Sequence, residues 1–327
     1  MSFLRILGYG LIAIVILIAG AAAWFLWSFP EVYPVAKVQA SQDPAVIERG
    51  RYLANTVLSC MDCHSTRDWS KYSAPITPGT LGKGGDKFDA SMGLPGEIHA
   101  KNITPAGIGS WTDEELARLI TTGVNRDGRA IFPMMPYMAY RYLSNDDLTA
   151  VISYLRTLAP IENAVPDGHV DFPMNLIIRT IPQPPAPLPK PNPADTVAYG
   201  KYLVTVGACT ECHTPSDHGK PLPGMDFAGG AEFKMPTGAI MRTANITPDQ
   251  ETGIGQLTRE QFIARFKAFE GEEARNRPVG PNDPQTIMPW TLYAGMTEQD
   301  LGAIYDYLLT LKAVNNRVQT FTPPPGN

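Results

Sequence analysis

The chain carries little net charge, 27 basic residues against 32 acidic ones leaving −5. A nucleic-acid partner would want a basic face, so that class of function is set aside. Cysteine is scarce, four in 327 residues, and histidine numbers only five. Each can therefore be placed individually. What the chain does hold in quantity is proline and glycine, 31 and 29. They point to long ordered loops rather than long runs of regular structure. The length allows two compact domains, each able to bury its own core.

Residues 6–29 are nearly all apolar, with Arg5 just ahead. Roughly 20 such residues cross a hydrocarbon core as helix. Ala21-Ala22-Ala23 offers an alternative, the cleavage site of a signal peptide. A secretory core, however, usually runs about 7 to 15 residues, and here Trp24, Phe25, Leu26 and Trp27 carry the run onward with the aromatics of a membrane interface. Residues 1–30 are expected to be a transmembrane anchor. On either reading the chain from Glu31 onward is exported. The expected location is the bacterial inner membrane, with the N-terminus cytoplasmic and the rest in the periplasm.

All four cysteines fall in two copies of one pattern, Cys60-Met61-Asp62-Cys63-His64 and Cys209-Thr210-Glu211-Cys212-His213. Disulfides, redox dithiols and halves of a zinc site are the alternatives. Disulfides need no histidine after each pair, and a four-cysteine zinc site would ignore both histidines. Covalent haem attachment uses every position: two thiols on one face of a helical turn take the vinyl groups, and the next residue presents imidazole to iron. Two haem c groups are expected, bound by Cys60, Cys63 and His64 and by Cys209, Cys212 and His213.

More than the cysteines repeats. Gly50-Arg51-Tyr52-Leu53 returns as Gly200-Lys201-Tyr202-Leu203, and Asn102-Ile103-Thr104-Pro105 as Asn245-Ile246-Thr247-Pro248, each of the latter followed by Gly-Ile-Gly. Met135-Pro136-Tyr137 with Tyr140 returns as Met288-Pro289-Trp290 with Tyr293. Capping boxes are expected at Ser144 with Asp147, Thr297 with Asp300, Thr112 with Glu115, and Thr258 with Gln261. Leu148, Val151, Ile152 and Leu155, and Leu301, Ile304, Tyr305 and Leu308, then keep helical spacing. Residues 181–193 are so rich in proline that they should run as extended polyproline, a stiff linker or one draped on a surface.

The expected fold is therefore all-α: two tandem cytochrome c domains, residues 40–160 and 195–318, joined by a Pro-rich linker, 161–194, after one N-terminal transmembrane helix. What fills the sixth position on each iron separates a carrier from a catalyst. There are twelve methionines; in the repeated loop Met134 aligns with Ile287 and Met138 with Thr291, and only Met135 meets a methionine, Met288, so His64 with Met135 and His213 with Met288 are the expected iron ligands. His99 is a rival, but its counterpart is Arg242; His169 and His218 are likewise unmatched. Lys101, Arg242 and Trp111 could each serve a haem propionate or simply the surface and core. With both faces filled, no catalytic residue is expected. A di-haem peroxidase, with one iron left open, is the alternative.

The Asn-Ile-Thr-Pro and Gly-Ile-Gly segments, the Met-Pro-aromatic loops and the capped helices ending in Tyr-Leu resemble the membrane-bound cytochrome c subunits of periplasmic alcohol, aldehyde and gluconate dehydrogenases. The resemblance covers most of residues 45–160 and 195–312. It implies the same four iron ligands, a dehydrogenase or quinol-linked donor upstream, and an acceptor such as a terminal oxidase downstream. That family commonly has three haem motifs and an anchor at its C-terminal end. Here there are two motifs and the anchor comes first. A second departure is the longer, proline-bearing stretch 271–285 before Met288, read as an insertion or a docking loop.

Overall fold

Apart from Arg5, no residue between Phe3 and Ser28 is charged, and the segment forms one unbroken helix, α1 (Phe3–Ser28), with no buried residue. Its 26 residues reach about 39 Å at roughly 1.5 Å per residue, more than the roughly 30 Å of a bilayer core. It is the one helix among the described residues long and apolar enough to cross a membrane. The computed structural model describes residues 3–217, 219–280 and 282–325. His218 lies outside them.

After α1 a shared order of helices and a two-stranded hairpin occurs twice, with short elements added in each half. The first half holds α2 (Pro44–Asn55), α3 (Cys60–Cys63), β1 (Lys87–Phe88), β2 (Gly96–His99), α4 (Pro105–Ile108), α5 (Asp113–Thr122), α6 (Tyr137–Tyr140) and α7 (Asn145–Thr157). Then come β3 (His169–Val170) and α8 (Met174–Ile177). The second half holds α9 (Thr196–Val206), α10 (Cys209–His213), β4 (Ser216–Asp217), β5 (Lys220–Pro221), β6 (Glu232–Lys234), β7 (Ile240–Arg242), α11 (Arg259–Lys267), α12 (Glu272–Arg275), α13 (Trp290–Tyr293), α14 (Glu298–Leu308) and β8 (Phe321–Thr322).

The repeated Gly-x-Tyr-Leu tetrad explains how each half closes. In the first, α2 crosses α7 so tightly that a Cβ on Gly50 would stand 1.8 Å from the Ala150 carbonyl oxygen; Gly200 of α9 meets Ala303 of α14 at the same 1.8 Å. Only glycine fits such a crossing. Leu53 and Leu203 point into the core, where the predicted stripes on α7 and α14 are also buried. Tyr52 and Tyr202 point the other way, each into the opposite half, so the halves pack directly on one another.

Helix starts follow the sequence closely. Thr112 with Glu115 and Thr258 with Gln261 form complete capping boxes. At α7 and α14 only half the box forms: Ser144 and Thr297 accept from the Asp147 and Asp300 amides, but the aspartates do not reach back. Minor sheet was not expected. The long loops carry three antiparallel ladders, β1–β2–β3, β4–β5 and β6–β7–β8, whose strands of two to four residues are too short to show an alternating pattern.

The proline-rich segment is draped rather than free-standing. The Ala186 and Leu188 amides donate to the Arg141 and Tyr142 carbonyls at 2.9 and 3.1 Å, and Arg141 Nε donates to the Pro184 carbonyl at 3.0 Å. It thus lies along the first half and does not space the two apart. The stretch 271–285 clasps the other half: Tyr72 N donates to Arg277 O and Val279 N to Ser70 O, both at 2.9 Å, and Gln285 Nε2 donates to Lys71 O at 2.8 Å.

Candidate functional site

Each Cys-x-x-Cys-His motif begins at a residue forced into the left-handed region, Ser59 at φ 50° and Ala208 at φ 56°. This costs a non-glycine residue about 1 kcal/mol and is held by surrounding contacts. Ser59 Oγ donates to Thr56 O at 2.9 Å, and the buried Tyr140 hydroxyl donates to Leu58 O at 2.6 Å. The kink starts the short helices α3 and α10, whose cysteines, three apart, share one face. All four thiols are free. Burial pushes Cys60, Cys63 and Cys209 up to about 12 and Cys212 to about 11, the reverse of what a reactive dithiol needs. Among the described residues no group of three or more His, Cys, Asp or Glu side chains could hold a metal ion, so the zinc reading lacks a ligand set.

The two histidines are held in matching ways. His64 Nδ1 lies 2.6 Å from the Lys101 carbonyl and His213 Nδ1 lies 2.8 Å from that of Ala244. A carbonyl only accepts, so each ring donates from Nδ1 and keeps the Nε2 lone pair free for a metal. Burial lowers both imidazole pKa values, favouring the neutral, ligating form. The carbonyls belong to the residues just before Asn102 and Asn245. Those asparagines fix the loop by accepting from the Thr104 and Thr247 amides, both at 2.9 Å, and by donating to the Ile161 and Val314 carbonyls, both at 2.8 Å.

Sequence reasoning missed one pair of partners. Gly84 N donates to His64 O and Gly229 N to His213 O, at 2.8 and 2.7 Å. Both glycines have positive φ, and a Cβ there would meet the Lys101 or Ala244 backbone at 2.5 or 2.4 Å. The signal was present in the doubled glycines, Gly84-Gly85 and Gly229-Gly230.

Met135 and Met288 sit in similarly bonded turns, partly buried against the common core. Tyr137 N donates to Met135 O and Trp290 N to Met288 O, both at 2.8 Å, around prolines at φ −79° in each case. Two positions after Met135, the Tyr137 hydroxyl is buried with no hydrogen-bond partner among the described residues. The neutral imidazoles, thiol pairs, thioether turns and this orphaned hydroxyl fit a large, mostly apolar ligand with an iron at its centre.

The other candidates are engaged elsewhere. His99 lies on β2 with Nε2 2.8 Å from Glu97 Oε1, and His169 is exposed near Asp171. Lys101 Nζ donates to Asp167 and to Pro166 O, both at 2.7 Å. Arg242 donates to Glu232 at 2.7 Å and Thr322 at 2.8 Å. Trp111 packs on the core under the Arg126 guanidinium.

No family model matches the chain, but individual proteins do. The fructose dehydrogenase cytochrome subunit of Gluconobacter japonicus is 28% identical over 300 residues, covering 88% of this chain and 57% of that protein. The cytochrome c subunit of alcohol dehydrogenase (quinone) from Gluconacetobacter polyoxogenes is 26% identical over 298 residues, 87% of this chain and 60% of its own length. The chain is a homologue of dehydrogenase cytochrome c subunits. A diheme cytochrome c-type protein of Cereibacter sphaeroides is also related, 27% identical over 213 residues, 61% of this chain and 67% of that protein. The chain spans 57% and 60% of the length of the first two. Kinship with cytochrome c subunits accords with haem c at the two motifs, and the apolar helix α1 fits membrane anchoring.

Proposed function

We propose that this chain is a membrane-anchored di-haem cytochrome c, two tandem cytochrome c domains that relay electrons from a dehydrogenase or quinol-linked donor to an acceptor such as a terminal oxidase. The observation that carries it is the duplicated arrangement of a neutral imidazole, half-buried at His64 and buried at His213, tied at Nδ1 to a backbone carbonyl beside a Cys-x-x-Cys turn. Cys60 with Cys63 and Cys209 with Cys212 would hold two haem c groups covalently. His64 with Met135, and His213 with Met288, would ligate the irons. Each haem would hold and release one electron, with no substrate chemistry required of the protein.

The residues around each site serve that role. The asparagine loops hold the histidine rings in one tautomer, and the Met-Pro turns present a thioether whose ligation raises a haem's potential. A dehydrogenase catalytic subunit is the expected partner, by kinship with cytochrome subunits of such enzymes, and the periplasm is the expected side for both domains.

The test is a visible and near-infrared spectrum of the membrane-extracted protein with a pyridine haemochrome assay. Two haem c per chain, a methionine-to-iron band accounting for both, and its halving in Met135→Ala or Met288→Ala are expected. One high-spin haem in the wild type would overturn the ligand assignment and favour a peroxidase.

A further inference from the structure

The end of α1 is bonded to a distant segment. Arg179 Nη2 donates to the Leu26 carbonyl at 2.7 Å and also to that of Phe29. Leu26 lies in the last turn of α1, whose end carbonyls its own amides leave unpaired and a cation favours, and Phe29 is the first residue past the helix. The exposed Trp24 and Trp27 flank Leu26, as aromatics do at headgroup level. Arg179 is thereby fixed where the helix leaves the bilayer.

Arg179 lies two positions past the end of α8, whose neighbourhood shows an unusual surface. Phe172 is 78% and Ile177 46% exposed, while Ile178 is turned inward at 7%. Val32, just past α1, is 51% exposed. Between Asp171 and Lys190 the only charged residue is Arg179, and none is acidic. Phe172 precedes Arg179 by seven positions, through α8 and the turn after it, so the patch adjoins the residue that is tied to the end of α1.

We infer that residues 172–181 are a second membrane contact: the turn into α8 and the last residue of α8 lay Phe172 and Ile177 into the headgroup and acyl boundary of the lipid surface beside α1, so that the body is held against the bilayer at two places. The occupant is lipid because the patch is continuous with the exit of the membrane helix and is tied to it through Arg179. The inference rests on α1 spanning the membrane. Two attachments would fix the height and tilt of the first half, where one helix would leave it free to swing.

The experiment uses the full chain with single cysteines, Phe172→Cys or Leu17→Cys, carrying a nitroxide and reconstituted in phosphatidylcholine–phosphatidylglycerol vesicles; unsubstituted protein is the labelling control. Power saturation compares collisions with oxygen, enriched in lipid, and with a water-soluble nickel chelate. Both labels should favour oxygen, Leu17 more deeply. A Leu17 label in lipid with a Phe172 label dominated by nickel would overturn the second contact while leaving the anchor intact. A Leu17 label dominated by nickel would overturn the anchor and the second contact with it. A Phe172 label shielded from both reagents would mean that protein covers the patch, which also overturns the inference.

Discussion

Tyr52 donates its hydroxyl to Asp300 Oδ2 at 2.6 Å across the boundary between the halves, and accepts from the Thr297 amide at 3.2 Å. Tyr202 does the same in reverse, donating to Asp147 Oδ2 at 2.8 Å and accepting from the Ser144 amide at 3.1 Å. In a complete capping box a glutamate at the third position reaches back to the cap amide. Aspartate is one methylene shorter, and each half supplies a tyrosine hydroxyl to bridge the gap. The same duplicated residues that build one half thus seal the other.

Replacing either tyrosine by phenylalanine should therefore weaken the joint between halves. A buried carboxylate and a cap amide each lose a partner, at a cost of about 1–3 kcal/mol. Thermal melts followed by circular dichroism in detergent would show it, and the double variant should also become sensitive to proteases in the 181–193 segment. If both variants melt with wild type, the bridges contribute nothing.

Asp147 gives the pH dependence. Burial alone would raise its pKa, but the Arg49 guanidinium, at 2.9 Å on both oxygens, with Tyr202 and Lys190, holds it below the ordinary value. A depressed carboxyl contributes stability above its unfolded pKa of about 4, and that contribution is lost as pH falls through the folded value. Asp147→Asn should cost about 3 kcal/mol at pH 7 by stranding Arg49 and should flatten the fall in melting temperature below pH 4. An unchanged acid slope would contradict this.

The helix crossings admit no side chain. Gly50→Ala or Gly200→Ala would place a methyl 1.8 Å from a carbonyl oxygen, so the helices must part, at about 3 kcal/mol or more. Little haem-loaded protein should accumulate, measured as haem-stained band against total chain. Gly79→Ala is a control for lost glycine, since no atom lies within 4 Å of its Cβ position, although its positive φ makes it mildly unfavourable. Equal yields from all three would refute the crossing argument.

Much of this was legible because duplication turns a single sequence into two aligned ones. Gly50 with Gly200, Asn102 with Asn245, and Met135 with Met288 stood out by recurring, and structure gives each pair one geometry. Helix periodicity located the core of α7 and α14 for the usual reason that one face is buried. What stayed illegible is what the halves do to each other. The sequence places Asp147 and Asp300 correctly at helix starts, yet nothing local says that a tyrosine from elsewhere completes the cap. The two-residue strands carry no period, and residues 271–285 read as an insertion because their partners lie some 200 positions earlier, around Ser70 and Lys71.

That insertion leads to Ser73, a buried residue of the first half at φ 62°. Its hydroxyl donates to Met288 O at 2.7 Å and accepts from the Trp290 amide at 2.9 Å, while its own amide donates to Gln285 Oε1 at 2.8 Å. The first half thus fixes the turn that presents the methionine of the second, and among the described residues no serine from the other half bonds the Met135 turn in this way. If Met288 ligates iron, Ser73→Ala should loosen that ligand alone: the methionine-to-iron band should lose up to half its area while two haem c per chain remain. A purely structural serine would instead lower the melting temperature and leave the band intact. Titrating the band against pH separates the two, because a weakened thioether is displaced at lower alkaline pH, and only from the second haem.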